Sequence, residues 1–493
     1  MLLSSLLAAL PGASVRRENA EAEIDITALA ADSRTVAPGA LFVALPGEHA
    51  DGGDFIAAAI AAGARAVVTE RDIEAGRGVA VVRVADARVA LSRLAACFFG
   101  EPSHALRVAG ITGTNGKTTS VALCATILDA CGIACGQIGT LGARFHEWSR
   151  PLGNTTPLPI ELHETLARMR DLGAAAVAME VSSHALALHR VDDVRFDVCA
   201  LTNITRDHLD FHHSFNAYAA AKRRLFELAR RGVLGIDDAV GARWAAELRT
   251  TGVRVTTYGF SPGADVSARD LRPAENGTAF TLSCNDGGHE EIAITLPLIG
   301  RFNVQNALCA LAVARVLGCD LARGARALAT VEAVSGRMER FAADGVVALV
   351  DYAHTPDALA RVLQAARELT SGRVIAVFGC GGERDQGKRP EMGAVAAERA
   401  DVIIVTNDNP RGEDPQTIAR AIVAGAPHAS VELDRRAAIR QAIAAAQAGD
   451  VVVVAGKGHE PYQIVGTSRH AFDDREEVRA ALAQRGLAAT ARS

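Results

Sequence analysis

Short apolar runs alternate with helical segments along most of the chain, and several runs end in polar or charged residues. Two lie in the middle of the chain, A-A-A-V-A-M-E (174–180) and F-D-V-C-A-L-T-N (196–203). Four more follow near the C-terminus: V-V-A-L-V-D, R-V-I-A-V-F-G, D-V-I-I-V-T and D-V-V-V-V-A-G. Continuous apolar runs of this length are typical of buried parallel strands. Their alternation with helices predicts an α/β protein built on parallel sheets.

The pattern divides the chain into three blocks, which we predict to be three domains. Residues 1–104 contain the short predicted strands A-L-F-V-A-L and A-V-V-T with a helix near 55–62. They end in F-F-G-E-P-S-H, whose Gly and Pro are typical of a domain boundary. Residues 105–333 are expected to form a central domain with a P-loop-type parallel sheet. Residues 334–493, which begin at V-S-G-R-M-E, are expected to form a Rossmann-like, doubly wound sheet.

Composition narrows the class of protein. The chain has 493 residues, and its net charge of −5 argues against general nucleic-acid binding, which needs clustered excess Lys and Arg. No apolar run approaches the ~20 residues of a membrane helix, so we expect no membrane insertion. The N-terminal M-L-L-S-S-L-L lacks a basic lead and predicts a short amphipathic helix rather than a signal peptide.

The nine cysteines are scattered through apolar surroundings. This usage is typical of reduced thiols in a cytoplasmic protein. Cys131 and Cys135 have a C-x₃-C spacing, but no second Cys/His pair lies nearby at ligand spacing. We therefore expect both to be small buried apolar residues rather than metal ligands.

The most informative segment is G-I-T-G-T-N-G-K-T-T (110–119), between an apolar lead-in and a helical pattern. Its glycines allow a sharp turn that brings backbone N–H groups toward phosphate oxygens. Lys117 would place a charge at the β- and γ-phosphates and Thr118 a hydroxyl at Mg²⁺, while the helix N-terminus favours the same anion. Ile111 stands where the strict P-loop pattern has glycine. The segment nevertheless predicts a nucleoside triphosphate site.

Two further groups are expected beside this loop, because the carboxyl ends of parallel strands meet at one sheet edge. Glu180 ends one predicted strand, and the next leads into T-N-I-T-R-D-H-L-D, which contains His208. Mg²⁺ needs few protein ligands when phosphate and water supply the rest, so Glu180 and His208 suffice. Lys222 follows Tyr218 by four residues on a predicted helix, and its pattern alone indicates a solvated surface lysine.

Three polar loops follow strands of the third block: G-C-G-G-E-R-D-Q-G-K-R-P (379–390), T-N-D-N-P-R-G-E-D-P (406–415) and A-G-K-G-H-E (455–460). Each one alone fits a solvated turn. Together at one sheet edge they favour a polar ligand, and the mixture of Arg with carboxylates suits a zwitterion such as an amino acid.

Taken together, these segments resemble the Mur ligase family, which builds the peptide stem of peptidoglycan, and the resemblance spans nearly the whole chain. The matching segments also include D-S-R-T-V-A-P-G-A-L-F-V-A-L-P-G (32–47), N-T-T-P (154–157), E-V-S-S-H-A-L (180–186), A-K-R-R-L-F (221–226), G-R-F-N-V-Q-N-A-L (300–308) and D-Y-A-H-T-P-D (351–357). D-S-R with N-T-T-P and D-N-P-R is similar to the members that add meso-diaminopimelate.

The resemblance implies an ATP- and Mg²⁺-dependent amide ligase. ATP would phosphorylate the D-glutamate γ-carboxylate of UDP-N-acetylmuramoyl-L-alanyl-D-glutamate, and the amine of meso-diaminopimelate would attack the acyl phosphate. It assigns catalysis to Lys117, Glu180, His208 and Lys222, and it makes Lys222 a carbamylated lysine. Magnesium would be held by Thr118, Glu180, His208 and the modified Lys222. The protein would be a cytoplasmic monomer.

The resemblance also implies binding residues, with one departure from the family pattern. Leu188 stands where the family usually has glutamine, and whether His189 compensates is left open. ATP would be bound by Gly113, Thr114, Asn115, Gly116, Lys117, Thr118, Thr119, Asn306, Arg337, Asp351 and His354. The UDP-linked substrate would be bound by Ser33, Asn154, Thr155, Thr156, Ser182 and Arg190. Diaminopimelate would be bound by Arg389, Asp408, Asn409, Pro410, Arg411, Gly456 and Glu460.

Three alternatives stay open at this point. A ligase of the same family could add L-lysine or another amino acid. A P-loop kinase or nucleotide-dependent switch would account for residues 110–119 but not for the D-N-P-R and A-G-K-G-H-E loops. A non-catalytic UDP-sugar-binding protein would not need Lys117, Glu180, His208 and Lys222 together.

Overall fold

The computed structural model describes residues 1–17, 23–47, 50–74, 78–274, 277–285 and 289–490. The N-terminal part forms a five-stranded sheet of order β1-β5-β4-β3-β2, parallel except for β1. The predicted amphipathic helix is α1, which buries Leu3 and Leu6 in the core of this part. The elements are α1 (Leu3–Ala8), β1 (Ser14–Arg17), β2 (Leu29–Ala30), β3 (Leu41–Val43), α2 (Ile56–Ala61), β4 (Ala66–Thr69), β5 (Ala80–Arg83) and α3 (Ala87–Phe98).

The central part forms an eleven-stranded sheet of order β16-β15-β14-β13-β12-β11-β6-β10-β7-β8-β9. The strands from β14 to β7 pair in parallel, and antiparallel hairpins extend both edges. The elements are β6 (Arg107–Thr112), α4 (Lys117–Ala130), β7 (Cys135–Gly139), β8 (Gly142–Phe145), β9 (Trp148–Arg150), α5 (Pro159–Asp171), β10 (Ala176–Glu180), α6 (Ser183–Ala187), β11 (Val198–Leu201), α7 (Leu209–His212), α8 (Phe215–Arg223), β12 (Arg231–Gly235), α9 (Ala239–Thr250), β13 (Arg254–Gly259), β14 (Val266–Ala274), β15 (Gly277–Asn285), β16 (His289–Leu296), α10 (Arg301–Val316) and α11 (Leu321–Ala327).

The C-terminal part forms a six-stranded sheet of order β17-β18-β22-β19-β20-β21, parallel except for β17, and a separate hairpin. The elements are β17 (Glu339–Ala343), β18 (Val346–Asp351), α12 (Pro356–Glu368), β19 (Val374–Phe378), α13 (Lys388–Arg399), β20 (Val402–Val405), α14 (Pro415–Val423), β21 (Ser430–Val431), α15 (Arg435–Ala445), β22 (Val451–Ala455), β23 (Tyr462–Val465), β24 (Ser468–Ala471) and α16 (Asp474–Thr490). Short 3₁₀ helices span Ser33–Thr35, Gly52–Phe55, Pro102–His104, Arg224–Glu227 and Leu328–Thr330.

Both larger sheets are covered by helices on their two faces, which explains why their strands read as continuous apolar runs. In β6, Ile111 packs on the side of α4 and α10, whereas Val108 packs on the side of α5 and α9. In the C-terminal sheet, α12, α13 and α14 cover one face and α15 and α16 the other. The predicted α/β class, with a central parallel sheet and a C-terminal doubly wound sheet, is confirmed. The domain boundaries at 104 and 333 stay predictions.

The expectation that all cysteines are reduced thiols is wrong for one pair. Cys131 follows α4 and Cys319 precedes α11, and the two form a disulfide with Cα atoms 5.6 Å apart. The two cysteines are 188 residues apart in the sequence, so no local sequence pattern could predict that they meet. Cys131 is only partly buried, whereas Cys135 is buried as predicted. In the described part of the chain, no helix is long and apolar enough to span a bilayer.

Candidate functional site

Two glycines shape the turn between β6 and α4. Gly113 has φ +146° and Gly116 has φ +87°, conformations that favour glycine. A Cβ on Gly113 would collide with Oγ1 of Thr202, and one on Gly116 would collide with Oδ1 of Asn306. The backbone can pass this close to both neighbours only because these positions lack side chains. The turn thus delivers α4 with its N-terminus at the sheet edge, as expected of a phosphate-binding loop.

Two lysine ammonium groups donate to the same carbonyl of this loop. Nζ of Lys117 donates to the carbonyls of Gly113 (2.8 Å) and Thr114 (2.9 Å), and Nζ of Lys222 donates to that of Gly113 (2.8 Å). Lys222 is 1% exposed, and burial, with Lys117 nearby, holds its pKa well below the ordinary value. The surface-lysine interpretation is therefore wrong. Its failure has a physical cause: α8 turns the face shared by Tyr218 and Lys222 inward, and the Lys222 ammonium lies 4.8 Å from the Tyr218 ring.

A cavity of about 200 Å³ opens beside this loop and is lined by residues of both large sheets. Nη2 of Arg337 donates to Oγ1 of Thr118 (3.0 Å), and Nδ2 of Asn115 donates to Oδ2 of Asp357 (3.1 Å). The C-terminal part therefore contacts the loop directly. Of the predicted ATP residues, the lining includes Thr114, Asn115, Gly116, Lys117, Thr118, Thr119, Asn306, Arg337, Asp351 and His354, with Gly113 contributing its backbone behind them.

Glu180 and His208 both line this cavity. The Glu180 carboxylate is held in place, since Oε1 accepts from the Thr140 N–H (2.8 Å) and Oε2 from the Thr140 hydroxyl (3.1 Å). Nε2 of His208 lies 3.3 Å from Oδ2 of Asp207, and partial burial lowers the pKa of His208 from its ordinary value. Within the described ranges, His, Cys, Asp and Glu form no cluster of three or more suited to a metal ion.

A second cavity, of about 480 Å³, adjoins the first. On its central-sheet side it is lined by Asn154, Thr155, Thr156, Ser182 and Arg190, all predicted to bind the UDP-linked substrate. Ser33 lines neither cavity. On the side of the C-terminal part, the second cavity is lined by Asp408, Asn409, Arg411, Gly456 and Glu460, all predicted to bind diaminopimelate. The two cavities share the lining residues Thr155, Ser182, Asp207, His208, Tyr352 and His354.

A buried lysine that sequence reasoning missed joins the loops of the second cavity. Nζ of Lys457 donates to Oδ1 of Asn409 (3.0 Å) and Oε2 of Glu460 (3.1 Å), and lies 3.7 Å from Oδ1 of Asp408. Nδ2 of Asn409 also donates to Oε2 of Glu460 (2.9 Å). A Cβ on Gly456 would lie 2.7 Å from Oδ2 of Asp408, so that position also requires close approach. The sequence feature that could have identified Lys457 is its position between Gly456 and Gly458, directly after a predicted strand.

The family resemblance assigned Arg389 of the 379–390 loop to diaminopimelate, whereas the cavity wall in the structure contains another arginine of that loop, Arg384. Arg389 is 2% exposed and does not line the cavity, because its Nη2 donates to Oε1 of Glu413 (2.9 Å) and to the Gly381 carbonyl (3.3 Å). Arg384 lines the cavity in its place. Pro410 is buried off the cavity wall. Other cavity residues that were not predicted are Gly153, His184, Asp207, Asp210, Tyr352, Gly381, Asp385, Lys388 and Tyr462.

Leu188 replaces the glutamine that the family usually has, and its neighbour His189 lies away from the second cavity. Nδ1 of His189 lies 2.5 Å from Oδ2 of Asp192 and contacts Arg224, and His189 does not line the cavity. The nearby Arg190 does line it, with Nη1 donating to the Thr156 carbonyl (3.1 Å). In this structure the His189 ring is therefore directed at Asp192 and Arg224.

Comparisons with known proteins match this arrangement from end to end. Family models match residues 25–99 (Mur ligase family, catalytic domain), 111–314 (Mur ligase middle domain) and 336–458 (Mur ligase, glutamate ligase domain). A UDP-N-acetylmuramoyl-L-alanyl-D-glutamate–2,6-diaminopimelate ligase of Gloeobacter violaceus is 45% identical over 474 residues, covering 94% of this chain and 95% of its own. The chain belongs to the Mur ligase family.

Solved structures agree with this membership. A structure of a UDP-N-acetylmuramoyl-L-alanyl-D-glutamate–2,6-diaminopimelate ligase matches with a TM-score of 0.66 and 34% identity, covering 93% of this chain and 95% of that one. The MurF ligase of Thermotoga maritima in complex with ADP matches with a TM-score of 0.64 and 20% identity, covering 94% and 99%, which shows a shared fold. This Mur ligase is therefore an enzyme of the ligase class. The kinase, switch and binding-protein alternatives are wrong.

Proposed function

We propose that this Mur ligase uses ATP to join meso-diaminopimelate to the D-glutamate γ-carboxylate of UDP-N-acetylmuramoyl-L-alanyl-D-glutamate. The observation that carries the proposal is the meeting of two cavities. One is built on the P-loop, the other carries Arg411, and they share the wall formed by His208 and His354. The name of the Gloeobacter violaceus relative supports the same substrates.

The first chemical step is phosphoryl transfer from ATP to a carboxylate, and both reactants are anions. Cations must therefore offset the repulsion and the charge that develops on the transferred group. Lys117 supplies one from α4, and Arg337 supplies another from the C-terminal part, 3.0 Å from Oγ1 of Thr118. We assign the triphosphate to these groups and the adenine end to Asn306, which lies against Gly116. The products of this step are ADP and an acyl phosphate.

The second step forms the amide. The amine of diaminopimelate attacks the acyl carbon, and inorganic phosphate leaves from the tetrahedral intermediate as the nitrogen loses a proton. An acyl phosphate is readily lost to water, so the site must exclude solvent. Direct contact between the central and C-terminal parts serves this purpose. Arg206 pairs with Glu391 at 2.5 Å, and Asn115 with Asp357 at 3.1 Å.

The residues at the first cavity fit Mg²⁺ bound together with ATP. The Glu180 carboxylate and the Thr118 hydroxyl are the hard oxygen donors that Mg²⁺ prefers, and few protein ligands are needed when phosphates and water complete the shell. We assign the ion to Thr118 and Glu180, with His208 beside them. Bound there, it would neutralise phosphate charge during transfer.

We retain Lys222 as the lysine that becomes carbamylated, as the family resemblance implies. In that step the Lys222 ammonium first loses a proton, and the neutral amine then adds CO₂ and loses a second proton, so that a cation becomes an anion. Complete burial of the Lys222 ammonium beside Lys117 supports this assignment, because two adjacent cations repel whereas a carbamate and Lys117 attract. The modified group would then be a further magnesium ligand.

Arg411 accounts for the choice of diaminopimelate over L-lysine. Diaminopimelate carries a distal carboxylate, which the planar guanidinium can bind through two hydrogen bonds. Among the described residues, the hydrogen bonds that this guanidinium makes to the protein are donated by Nη1, to the carbonyls of Gly382 (2.7 Å) and Asn409 (3.5 Å). We assign its other nitrogens, together with Arg384, to the amino-acid carboxylates. L-lysine has no distal carboxylate, so it would leave these guanidinium nitrogens without a partner.

The UDP-linked substrate would bind along the central-sheet wall of the second cavity, on Asn154, Thr155, Thr156, Ser182 and Arg190. We keep Ser33, in the 3₁₀ helix Ser33–Thr35 of the N-terminal part and outside both cavities, as the contact to the uridine end. Because the substrates of this reaction are found inside the cell, we place the enzyme in the cytoplasm. We also expect it to be a monomer.

ADP release tests the proposal. Purified enzyme is incubated with ATP, Mg²⁺ and the UDP-muramoyl-dipeptide, with meso-diaminopimelate or L-lysine as the acceptor, and the nucleotide product is identified by mass. We expect release of ADP with diaminopimelate and an amide product, and rates lower by about 10⁴ with L-lysine. Equal use of L-lysine would remove the specificity assigned to Arg411.

A further inference from the structure

The strands β23 and β24 form a hairpin that pairs with itself rather than joining the six-stranded sheet. Its two-residue loop, Gly466 and Thr467, has φ +59° at the glycine, as tight hairpin turns require. The outer strand, β24, is exposed along its length. A hairpin of two short strands is marginally stable by itself, so its conformation depends on what the inner strand contacts.

The inner strand contacts the segment 408–411, which carries Arg411. Nε2 of Gln463 donates to the Asp408 carbonyl (2.9 Å), and the N–H of Ile464 donates to Oδ1 of Asn409 (2.9 Å). The N–H of Arg411 donates to the Ile464 carbonyl (3.2 Å), and the N–H of Gly466 donates to the Arg411 carbonyl (2.7 Å). Four hydrogen bonds therefore join the hairpin to segment 408–411.

These bonds hold Arg411 in a conformation that the residue does not favour. Its φ is +52°, in the left-handed region that non-glycine residues rarely adopt. Both of its backbone polar groups are bonded to the hairpin, which explains how the conformation persists. Without that support, Arg411 would relax to negative φ and its guanidinium would leave the cavity wall.

The hairpin also contributes to the cavity directly. Tyr462 lines the second cavity, and its ring centre lies 3.9 Å from the Arg469 guanidinium and 5.6 Å from the Lys457 ammonium. The same hairpin thus fixes an aromatic wall and the backbone of the arginine beside it.

We propose that the hairpin 462–471 is a specificity element and that Gln463 is a positioning residue, which places Arg411 for the distal carboxylate of the acceptor amino acid. This inference rests on the proposed function. Gln463 acts through segment 408–411 and not on the reacting atoms. Its loss should therefore weaken recognition of diaminopimelate and leave the handling of ATP and the UDP-linked substrate unchanged.

The test compares Gln463→Met, which keeps the side-chain length but removes the donor, with Ser468→Ala on the exposed outer strand of the same hairpin. KM values for diaminopimelate, ATP and the UDP-linked substrate are measured by ADP release, and the thermal midpoint of each variant is recorded. We expect Q463M to raise KM for diaminopimelate about tenfold and to lower the preference over L-lysine by a similar factor. The other two KM values, and all values for S468A, should stay within about twofold.

The outcomes separate the two claims. If Q463M keeps the wild-type KM for diaminopimelate and the wild-type preference over L-lysine, the hairpin proposal is overturned while the proposed function stands. A uniform loss of rate with all substrates, with a lower thermal midpoint, would show a purely structural role and also overturn it. Gln463→Glu, which loses the donor with little change of size, repeats the test where Q463M does not fold. Lack of diaminopimelate-dependent ADP release by the wild-type enzyme would overturn both claims.

Discussion

Arg337 donates a hydrogen bond from Nη2 to Oγ1 of Thr118 across 3.0 Å, although 219 residues separate them in the chain. The guanidinium also lies 4.7 Å from the Tyr352 ring, at the same wall of the first cavity. The preceding Gly336, with φ +64°, lets the connecting segment pass against the backbone of Gly458 and His459, where a Cβ would collide. The segment that joins the second and third sheets thereby brings a cation to the P-loop helix.

We expect Arg337→Ala to lower kcat/KM for ATP by about 100-fold, because a charge at the transferred phosphoryl group is lost. The exposed Arg340, three residues later on β17, provides the matched control. ADP release at varied ATP checks both variants. Near-wild-type kinetics for R337A would remove this arginine from the nucleotide site.

Gly116→Ala should abolish most nucleotide binding, because its Cβ would collide with Oδ1 of Asn306. Gly132 is a matched control, since it has a similar φ of +81°, but a Cβ there would meet no atom of the described residues within 4 Å. Both substitutions carry a backbone strain of about 1–2 kcal/mol, and only G116A adds the collision. We expect the Kd for ADP, measured by calorimetry, to rise at least about tenfold in G116A and to be unchanged in G132A. An equal rise of this Kd in the two variants would mean that backbone strain, and not the collision with Asn306, weakens ADP binding.

Buried His163 makes stability depend on pH. Its ring is fully buried without a hydrogen-bond partner in the described structure, and burial lowers its pKa to about 4. Because the folded-state pKa lies below the unfolded value of about 6.5, the unfolded chain binds the proton first and stability falls as pH drops from 6.5 to 4. Between pH 7 and 5 this amounts to about 2 kcal/mol.

His163→Met should therefore reduce the fall in thermal midpoint between pH 7 and pH 5. The exposed His104 serves as the control, and His104→Met should leave that fall unchanged. A fall in H163M as large as in the wild-type protein would mean that other groups account for the acid sensitivity.

The disulfide between Cys131 and Cys319 closes a loop of 188 residues across α4 and α11. In purified, unreduced protein we expect seven titratable thiols after unfolding, and nine after reduction, since seven of the nine cysteines lie outside the pair. Cys319→Ser should cost about 2–4 kcal/mol of stability in the absence of reductant and none in its presence. Nine thiols before reduction would contradict the pairing.

The parts of this structure that were predictable from sequence are those with a local signal. The P-loop turn, the strand that ends at Glu180 and the doubly wound C-terminal sheet follow from glycine spacing and apolar runs. Asp408, Asn409, Arg411, Gly456 and Glu460 were carried over from a family motif, and the structure brings them to one cavity.

The parts that were missed depend on packing between distant segments. The spacing of Lys222 indicated a surface residue, and only the family resemblance assigned it to the site; in the structure, α8 turns its side chain inward against the P-loop. Arg384 and Arg389 share one loop, and the partner Glu413 that withdraws Arg389 lies on another. The salt bridges of Lys457 and the pairing of Cys131 likewise require knowledge of which loops meet.

The central claim is that the P-loop cavity and the Arg411 cavity serve one amide-forming reaction. Its most direct test is the KM for meso-diaminopimelate in Arg411→Ala, measured by ADP release, with Arg420→Ala on the exposed face of α14 as the control. We predict that R411A raises this KM by about 100-fold or more, from loss of a charged two-bond contact, while KM for ATP is unchanged. An unchanged KM for diaminopimelate in R411A would contradict the account.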